Sequence, residues 1–132
     1  MIRVGIDLQD TFGRVAYNDK VLADSTGRRA TLNCVLLGGG EEHSVVGSAA
    51  EILSGKTKDR TLQRGSDYMK SPFTSLSKQY LESFLRDLIR TASTAGDGIE
   101  GIVLGVPAYR YVGDVRYSNE IVSVLKNQIG VK

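Results

Sequence analysis

The most constraining feature of this sequence is a short apolar run, Ile102 to Val106, that follows a long amphipathic segment. A continuous apolar run is typical of a strand buried on both faces, and Pro107 ends it. We expect the amphipathic segment to form a long helix that opens at Ser71-Pro72 and packs on the sheet containing this strand. Its apolar residues at helical spacing are Leu76, Tyr80, Leu81, Phe84, Leu85, Leu88 and Ile89.

The first third of the chain predicts a succession of short antiparallel strands. Apolar residues alternate with others from Val4 to Leu8, and the same period of two continues on both sides of a turn at Asn18 to Lys20. Further strands are expected at Ala30 to Leu37 and at Ser44 to Val46.

The remaining segments complete the prediction of the fold. A short helix is expected at Ala49 to Leu53, followed by a loop from Lys56 to Lys70. A last helix begins at about Asp114 and has Ile121, Val122, Leu125 and Ile129 on its inner face. The order of strands, helix, strand and helix predicts an α/β protein with a mixed sheet and packed helices.

Composition limits the class of protein. The 132 residues suffice for one hydrophobic core, and 41% hydrophobic with 24% charged residues argue against disorder. The net charge of +2 comes from interspersed charges, which argues against a nucleic-acid partner. Cys34 is the single cysteine and no apolar run reaches the roughly 18 residues of a membrane span, so we expect a soluble cytoplasmic protein.

The segment from Val4 to Gly13 has the residues of a phosphate and cation site. It predicts a strand that enters a tight turn and leaves as a second strand. Such a turn can direct backbone N–H groups and the Thr11 hydroxyl at phosphates, while the Asp7 carboxylate at the strand end can hold a hydrated cation. An ordinary hairpin turn is the alternative interpretation, because acidic residues and threonine are common in turns.

Gly5 to Leu8, followed by Thr11 and Phe12, resembles the phosphate-binding hairpin of DnaK-type chaperones of the seventy-kilodalton heat-shock family, usually written G-I-D-L-G-T-T and then Y or F. Four more segments resemble motifs of that family in the same order, and together they cover essentially the whole chain. They are Asp24 to Thr31 (similar to N-x-x-G-x-R-T-T-P-S), Val46 to Ala50 (similar to I or V, then G-D-A-A), Ser66 to Phe73 (similar to a segment before the long helix) and Ile102 to Tyr109 (similar to I-x-x-V-P-A-Y).

The resemblance implies one lobe of an actin-like, ribonuclease-H-like ATPase fold over residues 1–132, with about 48–98 as a reduced inserted subdomain and its long helix. It implies that Asp10, Thr11 and Phe12 contact the phosphates of ATP or ADP and that Asp7 places Mg²⁺ through water. A nucleotide cleft of this class also needs a second lobe, so we expect weak or absent binding by this chain alone. The expected partners are that lobe of the parent protein or a second copy bound through an exposed face, with no nucleic acid and no membrane.

Two residues depart from the family pattern. Gln9 stands where the family has glycine, and a side chain there costs about 1 kcal/mol if the position needs positive φ. Asp10 stands where the family has a phosphate-facing threonine. A carboxylate about 4 Å from a phosphate charge is repelled by roughly 4 kcal/mol at an effective dielectric constant of about 20.

Other candidate residues stay open. The family's catalytic lysine should precede the long helix, where Lys56, Lys58 and Lys70 are available and none is favoured over a solvated loop charge. His43 has no second imidazole with which to build a metal site, and Cys34 in an apolar strand is a core residue rather than a nucleophile.

Two functions follow as hypotheses. The chain is the N-terminal part of a DnaK-like chaperone ATPase domain that contributes one side of an ATP and Mg²⁺ cleft without completing a catalytic site. Alternatively, it is an actin-like binding or assembly module that has lost ATP turnover, an interpretation motivated by Gln9, Asp10 and the shortened lysine region.

Overall fold

The computed structural model describes residues 1–38, 44–57, 60–69, 74–96, 98–106 and 115–129, with side chains only for 119–126 in the last range. These ranges contain strands β1 Ile2–Leu8, β2 Phe12–Tyr17, β3 Lys20–Val21, β4 Thr31–Leu32, β5 Cys34–Gly38, β6 Val45–Val46, β7 Arg60–Arg64 and β8 Ile99–Gly105. They also contain helices α1 Ser48–Ser54, α2 Gly65–Tyr68, α3 Ser75–Ser93 and α4 Val115–Ser123, which a π-helical segment Val124–Ile129 continues.

The larger sheet is mixed, as the sequence predicts. Its strand order is β3-β2-β1-β8, and β4 also pairs with β2. Strand β1 is antiparallel to β2 and parallel to β8. A second sheet has the order β6-β5-β7 and is antiparallel. The predicted α/β class with helices packed on a mixed sheet is therefore confirmed.

The main core lies between one face of the larger sheet and helices α3 and α4. Val4, Ile6 and Leu8 alternate as buried residues along β1, which is the period-two pattern of a half-buried strand. Helix α3 contributes buried Tyr80, Leu81, Phe84, Leu85 and Leu88, and α4 with its continuation contributes Ile121, Val124 and Leu125. The predicted core strands and long helix are thus confirmed.

The start of one helix and the exposure of two apolar residues differ from the prediction. Helix α3 begins at Ser75, because the Thr74 hydroxyl caps it by accepting a 3.0 Å hydrogen bond from the Ser77 N–H. Leu76 in its first turn is 57% exposed and so lies outside the core, and Val122 of α4 is also exposed. Both sit at the margin of their apolar faces, where periodicity alone does not separate packed from solvent-facing residues.

The predicted loop from Lys56 to Lys70 is wrong. It contains strand β7, which pairs antiparallel with β5, and the short helix α2. Leu62 is the single apolar residue of β7, so no alternating pattern marks the strand. Its formation depends on main-chain hydrogen bonds with β5, a partner far away in sequence.

The strand expected from Ala30 to Leu37 is two strands in different sheets. Strand β4 pairs with β2 of the larger sheet, and β5 belongs to the second sheet. Asn33 separates them, and its own N–H and C=O bond to Thr11 and Gly65 instead of continuing one ladder. The apolar run on both sides of Asn33 hides this change of direction.

Strand β8 is not buried on both faces, contrary to the prediction. Val103 in its centre is 79% exposed, while Ile102 and Leu104 pack against the core. In the described part of the chain β8 pairs with β1 only, so the strand forms an edge of the larger sheet. A continuous apolar run shows that side chains on both faces of the strand are apolar. It does not show that other elements cover both faces of the sheet.

Some predictions fall on residues outside the described ranges, namely those for His43, Lys58, Lys70, Ser71-Pro72 and Pro107. The side chain of Ile129 is also outside them, and the subdomain division at about 48–98 stays a prediction. Across the described ranges, none of the helices has the length and apolar character of a membrane span.

Candidate functional site

The candidate site lies where the carboxyl ends of two parallel strands meet. Asp7 is the penultimate residue of β1 and is paired with Gly105, the last residue of β8. In open α/β sheets, ligands bind outside the carboxyl ends of parallel strands. The topology therefore places Asp7 where such a sheet offers a binding crevice.

A tight turn between β1 and β2 forms the rest of the site. Its main chain closes where the Gln9 N–H donates a 2.9 Å hydrogen bond to the Phe12 carbonyl. Asp10 and Thr11 form the tip, and Thr11 is exposed. Phe12 begins β2, with the Arg14 guanidinium 4.3 Å from the centre of its ring. We refer to residues 9–12 as the phosphate turn, after the role that the sequence predicts for them.

The Gln9 side chain folds back over the end of β1. Its Nε2 donates a 2.6 Å hydrogen bond to Asp7 Oδ1, so the amide occupies one side of the candidate carboxylate. The described non-glycine residues with positive φ are Asn18 and Asp19, both in the β2–β3 turn. Gln9 therefore carries none of the backbone strain expected for a side chain at a glycine position. The sequence alone gave no sign of its bond to Asp7.

The surface next to Asp7 is a shallow depression of about 330 Å³ on the exposed sheet face. Asp7 and Arg14 are its charged members, and Gly5, Ala16, Val21, Val103 and Gly105 form much of the remainder. It can accommodate an apolar group beside a carboxylate. Most of the polar groups of the site belong to the phosphate turn and to Asp7.

The phosphate turn rests on a buried polar residue that sequence reasoning missed. Asn33 is 2% exposed, and its Nδ2 donates a 2.8 Å hydrogen bond to the Gln9 carbonyl. Its backbone N–H also donates to the Thr11 carbonyl at 3.0 Å. A polar residue within the apolar stretch from Thr31 to Leu37 was the signal that could have identified it, because buried polar side chains are almost always hydrogen-bonded.

The two motif segments that follow the turn contact each other. The Arg28 guanidinium donates a 2.6 Å hydrogen bond to Ser48 Oγ, which joins the 24–31 segment to the start of α1. Gly47 before that helix has φ 84°, a conformation that favours glycine, and its N–H donates to the Cys34 carbonyl. The structure thus joins both segments to the second sheet.

Asp24 organises the 24–31 segment. Its carboxylate accepts hydrogen bonds from the Thr26 hydroxyl and N–H, the Arg28 N–H and the Thr31 hydroxyl. Partial burial acts to raise the pKa of Asp24, but these hydrogen bonds outweigh it, led by that of the Thr26 hydroxyl, and the pKa lies below its ordinary value. The group is therefore a structural carboxylate.

The remaining candidates lie elsewhere. Lys56 is exposed just after α1, and it makes no described side-chain contact with the phosphate turn. Burial raises the pKa of the Cys34 thiol, although the nearby Arg64 guanidinium acts to lower it. Cys34 is fully buried, which confirms it as a core residue.

Within the described residues, no group of three or more histidine, cysteine, aspartate or glutamate side chains can hold a metal ion. Mg²⁺ on nucleotides keeps several waters and needs one or two protein carboxylates besides the phosphates. Asp7 fits that limited role, because it is a single carboxylate next to the phosphate turn. The arrangement does not form a metal site without a ligand.

Comparisons with known proteins bear on the fold. No protein-family model matches the sequence, and no curated protein matches it. Among solved structures, a non-polymerising mutant of MamK bound to AMPPNP superposes with a TM-score of 0.69 and 14% sequence identity. The match covers 94% of this chain, which spans 37% of that one.

This likeness establishes the fold alone. The chain has the fold of a lobe of an actin-like ATPase, so the fold that the resemblance implies is confirmed. The superposition gives no support to the finer, DnaK-type assignment.

Proposed function

We propose that this chain is an actin-like nucleotide-binding module that presents one side of a cleft for Mg²⁺-ATP. The observation that carries the proposal is the phosphate turn, which is closed by the bond from Gln9 to Phe12 and lies beside Asp7 at the carboxyl ends of β1 and β8. The fold class and the AMPPNP bound to the mutant MamK chain support it.

In this proposal, the main chain of Asp10, Thr11 and Phe12 contacts the β- and γ-phosphates. Backbone N–H groups in a tight turn are effective anion donors because they are fixed in direction before the ligand arrives. The exposed Thr11 side chain adds a hydroxyl. Asp7 would hold Mg²⁺, and the ion would supply positive charge that neutralises the phosphate oxygens.

Two features weaken binding. The Asp10 carboxylate adds negative charge where phosphate approaches, and the Gln9 amide competes for Asp7. One side of a cleft also offers only part of the contacts that must offset several kcal/mol of lost translational and rotational freedom. We therefore expect a dissociation constant in the millimolar range or weaker and no turnover by this chain alone. The second side would come from another part of the parent protein.

The finer proposal is that the parent protein is a DnaK-type chaperone ATPase. It rests on the order of five sequence motifs, from Gly5 to Tyr109. The bond between Arg28 and Ser48 is compatible with this order, because it joins two of those motifs in space. A parent sequence with a second glycine-rich phosphate loop downstream would support it.

The second candidate function is an actin-like binding or assembly module without ATP turnover. The bond between Gln9 and Asp7 favours it, because the carboxylate proposed to serve Mg²⁺ is already engaged. The exposed edge strand β8, with Val103 at its centre, offers a surface for the remaining lobe or for a second copy.

A calorimetric and thermal-shift titration with Mg²⁺-ATP separates the two functions. Weak, magnesium-dependent binding that Asp10→Thr strengthens would support the nucleotide module. Absence of binding by the wild type and by Asp10→Thr at ATP concentrations well above the millimolar range would reject it in favour of the assembly module. Micromolar binding or steady hydrolysis by the wild type would instead contradict the incomplete site.

A further inference from the structure

We propose that Asn33 is a positioning residue that fixes the direction of the phosphate turn, and that Tyr68 fixes the Asn33 amide. The inference rests on the proposed nucleotide function for its biological meaning, but hydrogen exchange tests it without nucleotide. It concerns a contact between the turn and the β7–α2 junction, two segments about 55 residues apart in the chain.

Asn33 uses both its main chain and its side chain to hold the surrounding segments. Its N–H donates to the Thr11 carbonyl at 3.0 Å, and its C=O accepts from the Gly65 N–H at 2.9 Å. Its Nδ2 donates to the Gln9 carbonyl at 2.8 Å and lies 3.0 Å from Met69 Sδ. Its Oδ1 accepts a hydrogen bond from the Tyr68 hydroxyl. Asn33, Tyr68 and Met69 are all nearly fully buried.

These bonds hold two carbonyls of the phosphate turn, those of Gln9 and Thr11. In a planar trans peptide, the C=O and the following N–H point in opposite directions. Because both carbonyls point toward Asn33, the N–H groups of Asp10 and Phe12 point away from it. Asn33 therefore determines on which side the turn presents these two donors, which the proposed function assigns to phosphate.

Tyr68 determines the orientation of the Asn33 amide. An amide can rotate to exchange its donor and acceptor, and only one orientation supplies a donor to the Gln9 carbonyl. The Tyr68 hydroxyl donates to Oδ1 and so favours the orientation that directs Nδ2 at the turn. The Tyr68 ring is itself held against Tyr80, with ring centres 5.8 Å apart.

Gly65 brings the start of α2 directly against the turn. A Cβ atom at this position would lie 2.2 Å from the Asp10 carbonyl oxygen and 2.5 Å from Asn33 Nδ2. Contacts below 3.0 Å with a backbone atom force the backbone to move. The absence of a side chain at Gly65 is therefore a condition for the position of the turn.

The test is amide hydrogen exchange of the 132-residue chain, followed by NMR. The backbone N–H of Gln9 reports opening of the turn, because it donates the hydrogen bond to the Phe12 carbonyl that closes the turn. The Leu85 amide in the buried centre of α3 reports global opening. The variants are Asn33→Asp, which keeps the acceptor for Tyr68 but loses the donor to Gln9, and Tyr68→Phe, which loses only the hydroxyl.

We expect both variants to raise the exchange rate of Gln9 about tenfold more than that of Leu85, because a local opening exchanges independently of global unfolding. Gly65→Ala should do the same by displacing the Asp10 carbonyl. The controls are Ile121→Ala, which removes core contacts in α4, and Gly55→Ala, whose Cβ would meet nothing closer than 3.6 Å. Ile121→Ala should raise the exchange rate of Leu85 at least as much as that of Gln9, because it promotes global unfolding, and Gly55→Ala should not raise the rate of Gln9 selectively.

Equal changes at Gln9 and Leu85 in Tyr68→Phe and Gly65→Ala would overturn the inference, whether or not Asn33→Asp folds. A titration with Mg²⁺-ATP distinguishes failure of this inference from failure of the proposed function. One outcome is that neither the wild type nor any variant binds ATP, while the exchange rate of the Gln9 backbone N–H still rises more than that of Leu85. In that case the nucleotide function fails and the positioning role stands. If the wild type binds ATP and Tyr68→Phe weakens that binding without a matching loss in melting temperature, both stand.

Discussion

Gln9 Nε2 and Asp7 Oδ1 are joined by a 2.6 Å hydrogen bond across the end of β1, so the one side chain proposed to serve Mg²⁺ is held by a neighbour two residues away. The bond depends on a residue that replaces glycine in the resembled hairpin. Gln9 occupies this position without positive φ, and removal of its side chain should not strain the turn.

Gln9→Ala should therefore strengthen binding of Mg²⁺-ATP. Loss of a competing hydrogen bond of about 1 kcal/mol corresponds to roughly a fivefold lower dissociation constant. Calorimetry with and without Mg²⁺ measures the effect, which should vanish without the ion. Gln79→Ala on the exposed face of α3 is the matched control and should leave binding unchanged. Weaker binding by Gln9→Ala would mean that the amide contacts the ligand.

Asp10→Thr should strengthen binding as well, because it removes a negative charge beside the proposed γ-phosphate position. Asp10→Asn should share much of this gain and reduce the dependence on salt, since screening acts on the charge alone. Asp19→Asn, in the β2–β3 turn, carries the same charge change away from the site and should have no effect. Thr11→Ala should weaken binding or leave it unmeasurable. A wild type that binds better than Asp10→Thr would refute the phosphate position assigned here.

Leu85→Ala should destabilise the fold strongly. Leu85 is fully buried in α3, and truncation of a buried leucine costs about 2–5 kcal/mol through lost burial and the cavity left behind. Urea melts compare it with Leu76→Ala, whose side chain is 57% exposed. The exposed variant should stay within about 0.5 kcal/mol of wild type. Equal costs at both positions would contradict the packing of α3.

Asp24→Asn should destabilise the protein near neutral pH and lose its effect in acid. The folded pKa of Asp24 lies below its ordinary value of 3.8, so the carboxylate contributes stability above that value and loses it as the pH falls through the folded pKa. Loss of the hydrogen bonds to the charged group should cost about 1 kcal/mol near neutral pH. Urea melts over a pH series should show the free energies of unfolding of the two proteins converging at low pH. A difference that stays constant with pH would mean that the charge of Asp24 does not contribute to stability.

The exposed edge at β8 should support self-association at high protein concentration. Exposed, unpaired strand edges readily pair with other chains, and a lysine at the centre of such an edge opposes this. Sedimentation should therefore show association for the wild type and less for Val103→Lys. Ile52→Lys, which changes another exposed apolar residue in α1, is the control. A wild-type chain that remains monomeric at high concentration would remove support from the assembly function.

Local sequence patterns predicted the strands and helices that have one apolar face packed in the core. Alternation marked β1, helical periodicity marked α3, and turn residues marked the hairpin at Asn18 and Asp19, where both residues adopt positive φ. In these cases the signal is contained in consecutive residues, because the period of apolar side chains matches the geometry of the element. The phosphate turn and Asp7 were predicted for the same reason, as a strand end followed by turn residues.

The tertiary structure decided what depends on distant partners. Strand β7 exists through pairing with β5, and the division at Asn33 through bonds to Thr11 and Gly65. Val103 is exposed because no described element packs on its face of the sheet. The sequence alone determined β1, α3 and the tight turn after Asp7, because their patterns lie in consecutive residues. Only packing determined the support of that turn by Asn33 and the capture of Asp7 by Gln9, because hydrogen bonds of polar side chains depend on positions in space rather than on spacing in the chain.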